Sequence, residues 1–318
     1  MQFIAASLGV QCDFCHVENA FEKDDKETKR TARKMIQMLL AINRDNFQGR
    51  KEVTCYACHR GAHRPVASPL ISEEMVRPAP KQEVVDRSEG SAANLPSVDT
   101  IVEKYLQAMG AMSSAMKSIR LQKGTLTVGG AQFPVEVLTK GSANRVTTVH
   151  FPGGDSVTGF NEHVGWLTTP GRGTHQMTRA ELDGAQMECS LQFGMDLRQM
   201  FQKLQVQQED TIDNRATVLV LGMRDDYPPA QLYFDRESGL LVRLLRYVDT
   251  PVGLNPTQID YADYREDGGH KVPFRWTVAR PGSRFTIQID QTQQNLQVSD
   301  EKFLPPSTFQ SQSPDPPR

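Results

Sequence analysis

Four of the five cysteines lie in two short units of the same form, Cys-x-x-Cys-His. The two units are Cys12, Cys15, His16 and Cys55, Cys58, His59. Two thiols three residues apart can each add to one vinyl group of a haem, and the adjacent histidine can then reach the iron. The spacing therefore predicts two covalently attached c-type haems, each held by two thioether bonds and one imidazole.

Other chemistry is compatible with a Cys-x-x-Cys pair. Such pairs also form halves of zinc sites and redox-active dithiols, and a zinc site built from all four cysteines remains an alternative. The histidine at the same place in both copies favours haem. The fifth cysteine, Cys189, stands alone, so no disulfide framework is expected and this thiol is predicted to be a buried, small side chain.

A helix is predicted between the two units, in the segment DDKETKRTARKMIQMLLAINRDNF. Asp24 or Asp25 is its predicted N-cap. Four apolar residues follow at spacings of 3, 4 and 3, which places them on one face: Ala32, Met35, Leu39, Ile42. Five basic residues are expected to form a solvated flank on the remaining surface: Lys26, Lys29, Arg30, Arg33, Lys34.

A low-spin electron-transfer haem needs a sixth ligand, commonly a Met sulfur or a second His. Met35, in the middle of the apolar stripe, is the predicted sixth ligand of the second haem, with Met38 as its competitor. For the first haem the nearest upstream sulfur is Met1, eleven residues before Cys12. This separation is about three helical turns, which would place Met1 and Cys12 on the same helical face. His63 is the alternative.

Three blocks of the first 65 residues resemble, in order, the haem-binding region of the photosynthetic reaction-centre cytochrome c subunit family: LGVQCDFCH, ARKMIQMLLAIN and VTCYACHRG. In that family each such haem takes its histidine from the attachment motif and its sixth ligand from a Met on the preceding helix. The resemblance implies the pairs His16 with Met1 and His59 with Met35. Four-haem members carry a further axial His after the helix. This chain reads RDNFQGRKE there, so a two-haem relative is implied.

Composition excludes several classes of partner. The formal net charge is -2 and the sequence pI is about 6.4, so neither nucleic acid nor an anionic membrane is expected to bind. No apolar run approaches the roughly 18 residues of a membrane-spanning helix.

Thioether attachment takes place outside the cytoplasm, yet MQFIAASLGV has no export-signal pattern. We therefore expect the numbering to begin inside a precursor, and a periplasmic, extracellular or cell-surface location.

The second half of the sequence predicts a different kind of domain. SVDTIVEKYLQAMGA indicates a helix capped by Ser97. Short alternating runs separated by Gly, Asp or Pro then predict a largely antiparallel sheet, with a hairpin turning at Arg236 to Gly239 and a helical insertion at MDLRQMFQKL. This order resembles the outer-membrane lipoprotein carrier family and its sensor-like relatives. The resemblance implies a curved partial barrel with one or two helices that holds an acyl chain or a partner's strand.

The expected fold class is therefore α+β multidomain. A dihaem cytochrome c domain is predicted at 1–66, a Pro-rich linker at 67–96, the β-rich domain at 97–305 and an extended tail at 306–318.

The leading functional hypothesis is an exported carrier that passes single electrons to redox partner proteins and has no catalytic site. A second hypothesis is the repeating subunit of an extracellular cytochrome filament, in which a neighbouring copy holds the linker and tail. A third is a lipid-binding or sensor module with the haems as a switch.

Overall fold

The computed structural model describes residues 1–65, 95–110, 119–250, 253–281 and 283–306. These residues group into two compact units. Of the described residues, the first unit comprises 1–65, 95, 249–250, 253–255, 280–281 and 283, and the second comprises 96–110, 119–248, 256–279 and 284–306. Most of the expected linker at 67–96 and nearly all of the expected tail at 306–318 lie outside the described residues. The predicted domain boundaries stay a prediction.

Three helices and one 3-10 turn form the regular structure of residues 1–65. They are α1 (Gln2–Leu8), the turn Cys12–Phe14, α2 (Glu27–Asn46) and α3 (Cys55–His59). Helix α2 confirms the helix predicted between the two motifs. Its predicted N-cap is wrong, because Lys26 occupies the cap position and no side chain caps the helix. The Asp24 carboxylate instead pairs with Lys29, 2.9 Å away.

The first 65 residues contain almost no hydrophobic core of their own. Across this fully described segment four residues are buried: Ser7, Lys29, Leu39, Asn43. Only Leu39 among them is hydrophobic. Burial of one leucine side chain contributes about 2 kcal/mol, which is less than the backbone entropy lost when even a few residues become ordered. The polypeptide alone therefore does not account for the stability of this segment.

The described part of the second unit is dominated by a curved antiparallel sheet of 13 strands. The strands are β1 (Ile119–Val128), β2 (Ala131–Lys140), β3 (Asn144–Phe151), β4 (Gly154–Phe160), β5 (Gly165–Thr169), β6 (Gly173–Gln176), β7 (Lys203–Ile212), β8 (Arg215–Arg224), β9 (Tyr227–Asp235), β10 (Leu241–Thr250), β11 (Gly253–Glu266), β12 (Lys271–Arg280) and β13 (Ser283–Gln293). Their order in the sheet is β6-β5-β4-β3-β2-β1-β13-β12-β11-β10-β9-β8-β7. Strands that are consecutive in the chain are therefore neighbours in the sheet, except β6 and β7, which form its two edges. The first strand, β1, pairs with the last, β13. This arrangement confirms the predicted antiparallel sheet.

Helix α4 (Val98–Met109) packs on this sheet. The Ser97 side chain accepts a hydrogen bond from the Thr100 backbone N–H, so the predicted cap is confirmed. Tyr105 is fully buried, and its hydroxyl donates to the Leu191 carbonyl at 2.9 Å. The predicted turn between β9 and β10 is also present, with Gly239 at φ 75°.

The sequence did not predict helix α5 (Arg179–Gln192), which together with the short helix α6 (Leu197–Met200) connects the two edge strands β6 and β7. A capping box between Thr178 and Glu181 starts α5. Arginines of the sheet pair with its acidic residues: Arg246 with Glu188 and Arg224 with Asp183. The helical insertion predicted at 195–204 is present as α6, but it is wrong beyond Met200, because Phe201 is extended and β7 begins at Lys203.

A buried polar group in the second unit predicts a pH-dependent stability. The His270 ring is 2% exposed, and its Nε2 accepts a hydrogen bond from Arg120 at 3.0 Å. Arg120 is also paired with the buried Asp267, 3.2 Å away. Burial, together with the charge of Arg120, lowers the pKa of His270 below its ordinary 6.5. Folded His270 therefore gains its proton at a lower pH than unfolded His270, which is protonated below about pH 6.5.

We therefore expect the free energy of unfolding of this unit to fall between pH 7 and pH 5. His270→Gln should reduce that pH dependence, whereas the same change at the exposed His163 should not. Denaturant titrations at the two pH values would measure it through the fluorescence of Trp166 and Trp276, which both lie in this unit. Equal pH dependence in wild type and His270→Gln would contradict the prediction.

No helix within the described residues combines the length and the hydrophobicity that crossing a bilayer requires.

Candidate haem-binding site

Each Cys-x-x-Cys-His motif forms one helical turn. In the first motif the backbone N–H groups of Cys15 and His16 both donate to the Cys12 carbonyl, at 3.3 and 2.9 Å. The second motif is helix α3 itself, from Cys55 to His59. Residues three apart on a helical turn lie on the same side, so each turn presents its two thiols together. This is the arrangement that double thioether attachment requires.

Both motif histidines are held by the same type of hydrogen bond. His16 Nδ1 donates to the Phe21 carbonyl at 3.0 Å, and His59 Nδ1 donates to the Ala62 carbonyl at 2.9 Å. A carbonyl oxygen can only accept, so each Nδ1 carries the proton and each Nε2 keeps its lone pair. A backbone carbonyl behind the ring is the usual way in which a metal-binding histidine is oriented. Both imidazoles therefore have the tautomer that an iron ligand needs.

The four motif cysteines are free thiols at or near the surface. Cys12 and Cys58 are exposed, whereas Cys15 and Cys55 are half-buried. Burial raises the pKa of Cys15 and of Cys55. Cys189 is fully buried, as predicted from the sequence. Among the residues that the structure describes, no three His, Cys, Asp or Glu side chains converge on one metal position, which a zinc site built from both motifs would require.

Helix α2 fixes the segments that carry the two motifs. Near its start, Thr28 donates from its hydroxyl to the Phe14 carbonyl at 2.5 Å, and Lys26 donates to the Asp13 carbonyl. Near its end, the Asn43 amide donates to the Val53 carbonyl at 2.7 Å and accepts from the Val53 N–H at 2.9 Å. The two anchor points are 15 residues apart, about 22 Å along the helix.

The segment after the second motif contacts helix α1. The Gly61 N–H donates to the carbonyl of the buried Ser7 at 2.9 Å. Gly9, at φ 65°, ends α1, and a Cβ there would collide with the Gly61 carbonyl. The helix thus stops before Cys12, and the argument that Met1 and Cys12 share a helical face is wrong. Met1 as the sixth ligand of the first haem stays a prediction.

The candidate sixth ligands are accessible. Met1, Met35 and Met38 are 72%, 41% and 48% exposed. Met35 precedes the buried Leu39 by one helical turn, on the same face of α2. His63, the alternative for the first haem, lies against Phe14 of the first motif, with ring centroids 5.9 Å apart. The structure therefore places His63 beside the first motif. Met1 and His63 stay the alternatives for the first haem, and Met35 and Met38 those for the second.

The exposed apolar surface is concentrated in this segment. Of the ten large hydrophobic side chains that are exposed in the described residues, seven belong to residues 1–65: Met1, Phe14, Phe21, Met35, Met38, Leu40, Tyr56. The same segment buries one large hydrophobic residue, Leu39. A covalently held haem would supply apolar surface for these side chains to cover. Residues 1–65 therefore fit a haem-binding unit, because they combine paired thiols, oriented imidazoles, methionine thioethers and exposed apolar side chains.

One important residue of the site was missed by the sequence interpretation. Lys29 was expected on a solvated flank, but it is 7% exposed. Its ammonium group donates to three successive carbonyls, those of Phe21, Glu22 and Lys23, at 2.7, 3.1 and 2.7 Å. No sequence signal distinguishes Lys29 from its basic neighbours, because the partners are backbone atoms of a loop.

Comparison with known proteins confirms the resemblance of the first residues. The model of the photosynthetic reaction centre cytochrome C subunit family matches residues 1–127. The photosynthetic reaction center cytochrome c subunit of Roseobacter denitrificans is 42% identical over 73 residues, which are 20% of this chain and 19% of that protein. Cytochrome c-554 of Chloroflexus aurantiacus is 34% identical over 67 residues, 19% of this chain and 16% of that protein. The matches thus span less than a fifth of these relatives.

Solved structures resemble the larger part of the chain at low identity. A LolA superfamily protein from Nitrosomonas europaea is 12% identical, with a TM-score of 0.44, over 66% of this chain and 99% of that one. A putative outer membrane lipoprotein-sorting protein domain from Vibrio parahaemolyticus is 8% identical, with a TM-score of 0.41, over 64% of this chain and 94% of that one.

Proposed function

We propose that this chain is an exported electron carrier with two covalently bound c-type haems in residues 1–66. The observation that carries the proposal is the pair of identical motifs, each with a histidine held in the ligating tautomer, inside a segment with a single buried hydrophobic residue. The family match over residues 1–127 supports haem binding and electron transfer.

The residues have distinct tasks in this proposal. Cys12 and Cys15 attach the first haem, and Cys55 and Cys58 attach the second. His16 and His59 supply one axial ligand each, and Met35 supplies the sixth ligand of the second haem. A bound c-type haem supplies a site that gains and loses one electron. Helix α2 keeps the two attachment segments at fixed positions through Thr28 and Asn43.

Haem content and coordination would test the proposal. The protein is to be produced in a host that attaches c-type haem after export. We expect two haems per chain by pyridine haemochrome assay, both retained after acid-acetone extraction, and six-coordinate spectra in both oxidation states. Redox titration should give two one-electron steps. A colourless protein containing zinc, or haem that acid-acetone removes, would overturn the proposal.

The periplasmic or cell-surface location belongs to this proposal, because thioether attachment needs export. Redox partner proteins are proposed as the electron donors and acceptors.

The filament hypothesis depends on the linker and tail, most of which lie outside the described residues, and it stays a prediction. The lipid-binding hypothesis for the sheet also stays a prediction. Light scattering at high concentration would test self-association, and organic extraction would test bound lipid.

A further inference from the structure

We propose that Lys29 is a positioning residue that raises the reduction potential of the haem attached at the first motif, relative to that at the second, through the carbonyl it shares with His16. This inference rests on the proposed function. It concerns one juxtaposition in the first unit: a lysine ammonium and an imidazole N–H that donate to the same backbone oxygen.

The shared acceptor is the Phe21 carbonyl. His16 Nδ1 donates to it at 3.0 Å and Lys29 Nζ donates to it at 2.7 Å. A carbonyl oxygen has two lone pairs and can accept both hydrogen bonds. Lys29 itself is nine-tenths buried, and its hydrogen bond to the Phe21 carbonyl is partly buried. Hydrogen bonds with an ionised partner are stronger than neutral ones, and burial increases their strength.

The loop that carries this carbonyl is built around the helix cations. Lys29 donates to the carbonyls of residues 21, 22 and 23, and Arg30 donates to those of Asp24 and Asp25 at 2.8 and 3.1 Å. Five successive carbonyls thus face basic side chains of α2. The position of the His16 acceptor is set by this arrangement, so Lys29 controls both where the oxygen lies and how strongly it accepts.

The sign of the effect follows from ligand basicity. A carbonyl that accepts from Nδ1–H makes the imidazole a more basic ligand, and a more basic ligand favours the oxidised iron. A cation on the same oxygen withdraws electron density and weakens that acceptor. His16 is therefore a less basic ligand than it would be without Lys29, which favours the reduced state and a higher potential.

The second motif provides the comparison within the same chain. His59 Nδ1 donates to the Ala62 carbonyl at 2.9 Å. Among the described residues no lysine or arginine donates to that oxygen. The two histidines therefore have acceptors of the same type but of different strength, and the asymmetry gives the two haems different potentials.

Asp24 allows the electrostatic effect to be separated from a structural one. Its carboxylate lies 2.9 Å from Lys29 Nζ and partly neutralises the ammonium charge. Removing Lys29 should lower the potential, whereas removing the Asp24 charge should leave Lys29 less compensated and raise it. Both changes loosen the same loop, so a role confined to holding the loop would not produce opposite signs.

The experiment uses redox titration of the full haem-loaded chain in wild type and four variants. We expect Lys29→Gln to lower the potential of the first-motif haem and to leave that of the second-motif haem unchanged. The shift should be ~59 mV, which is a tenfold change in the equilibrium constant of a one-electron step. Asp24→Asn should raise the same potential. Lys29→Arg, which keeps the charge, should stay close to wild type. Lys34→Gln, an equal charge change at an exposed site of the same helix, should move neither.

Three measurements keep the possible failures distinct. Haem content is assayed first: a wild-type chain without covalent haem overturns the proposed function. If both haems are present, unchanged potentials in Lys29→Gln, or shifts of the same sign in Lys29→Gln and Asp24→Asn, overturn the inference alone. The Nδ1–H resonance of His16 in the reduced, ¹⁵N-histidine-labelled protein should shift in Lys29→Gln and that of His59 should not.

Discussion

A chain in which Cys12 and Cys15 are both replaced by serine is expected to carry one covalent haem instead of two. Serine cannot form the thioether bonds, and His16 alone does not retain a haem through denaturation. The intact mass of the denatured chain and the pyridine haemochrome assay would each report the loss. Cys55→Ser with Cys58→Ser should give the same stoichiometry, so the two variants test the two motifs independently.

The same variant should also lose much of the order of residues 1–65. Leu39 is the one large hydrophobic side chain that this segment buries, and small domains with so little core depend on a covalent or metal-bound group for stability. Limited proteolysis should therefore cut this segment faster than in wild type while the sheet unit resists.

Cys189→Ala is the matched control for the loss of a thiol. Cys189 is buried in the second unit and belongs to neither motif, so this variant should keep two haems and a protease-resistant first segment. Two covalent haems in the Cys12/Cys15 variant would contradict the assignment of the first motif. If residues 1–65 of the Cys12/Cys15 variant resist proteolysis as well as they do in wild type, the order of this segment does not depend on the first haem.

Local sequence signals predicted the elements that depend on near neighbours. Ser97 three residues before Thr100 predicted the start of α4, and Gly239 predicted the turn after β9, because both rest on contacts within four residues. Alternation of apolar residues predicted the antiparallel strands. Helix α5 was missed although Thr178 and Glu181 have capping-box spacing, since its weakly amphipathic sequence was not recognised as helical.

Features that depend on distant partners were not predictable from the sequence. Lys29 belongs to a run of basic residues, and only the folded loop shows that its partners are three carbonyls. The predicted caps Asp24 and Asp25 failed for a related reason, because Asp24 is engaged by Lys29 and Arg33. The Met1 spacing argument failed because Gly9 ends the helix at a close approach to Gly61.

Replacing Met35 by alanine is expected to open the sixth coordination position of one haem and leave the other unchanged. Met35 is the family-implied partner of His59, and its side chain is accessible on the face of α2 that also carries Leu39. Carbon monoxide should then bind to the reduced Met35→Ala protein at one site per chain, whereas the wild type should bind none. Optical titration with carbon monoxide would measure the stoichiometry.

Met38→Ala is the matched control, because Met38 lies on the same helix, has the same thioether and is similarly exposed at 48% against 41%. It should not bind carbon monoxide. If Met38→Ala opens a site and Met35→Ala does not, the ligand is Met38 and the assignment to Met35 is wrong. If neither variant opens a site, the sixth ligand comes from outside these two residues.

Met35→His separates ligation from packing. A histidine at this position can still coordinate iron, so no carbon monoxide site should appear, but a bis-histidine haem has a lower potential than one with a methionine ligand. One potential should therefore fall while the other stays. Met35→Ala and Met35→His remove the same packing contacts, so a role limited to packing would change the two variants alike. Only ligation predicts an open coordination site in Met35→Ala and a lowered potential in Met35→His.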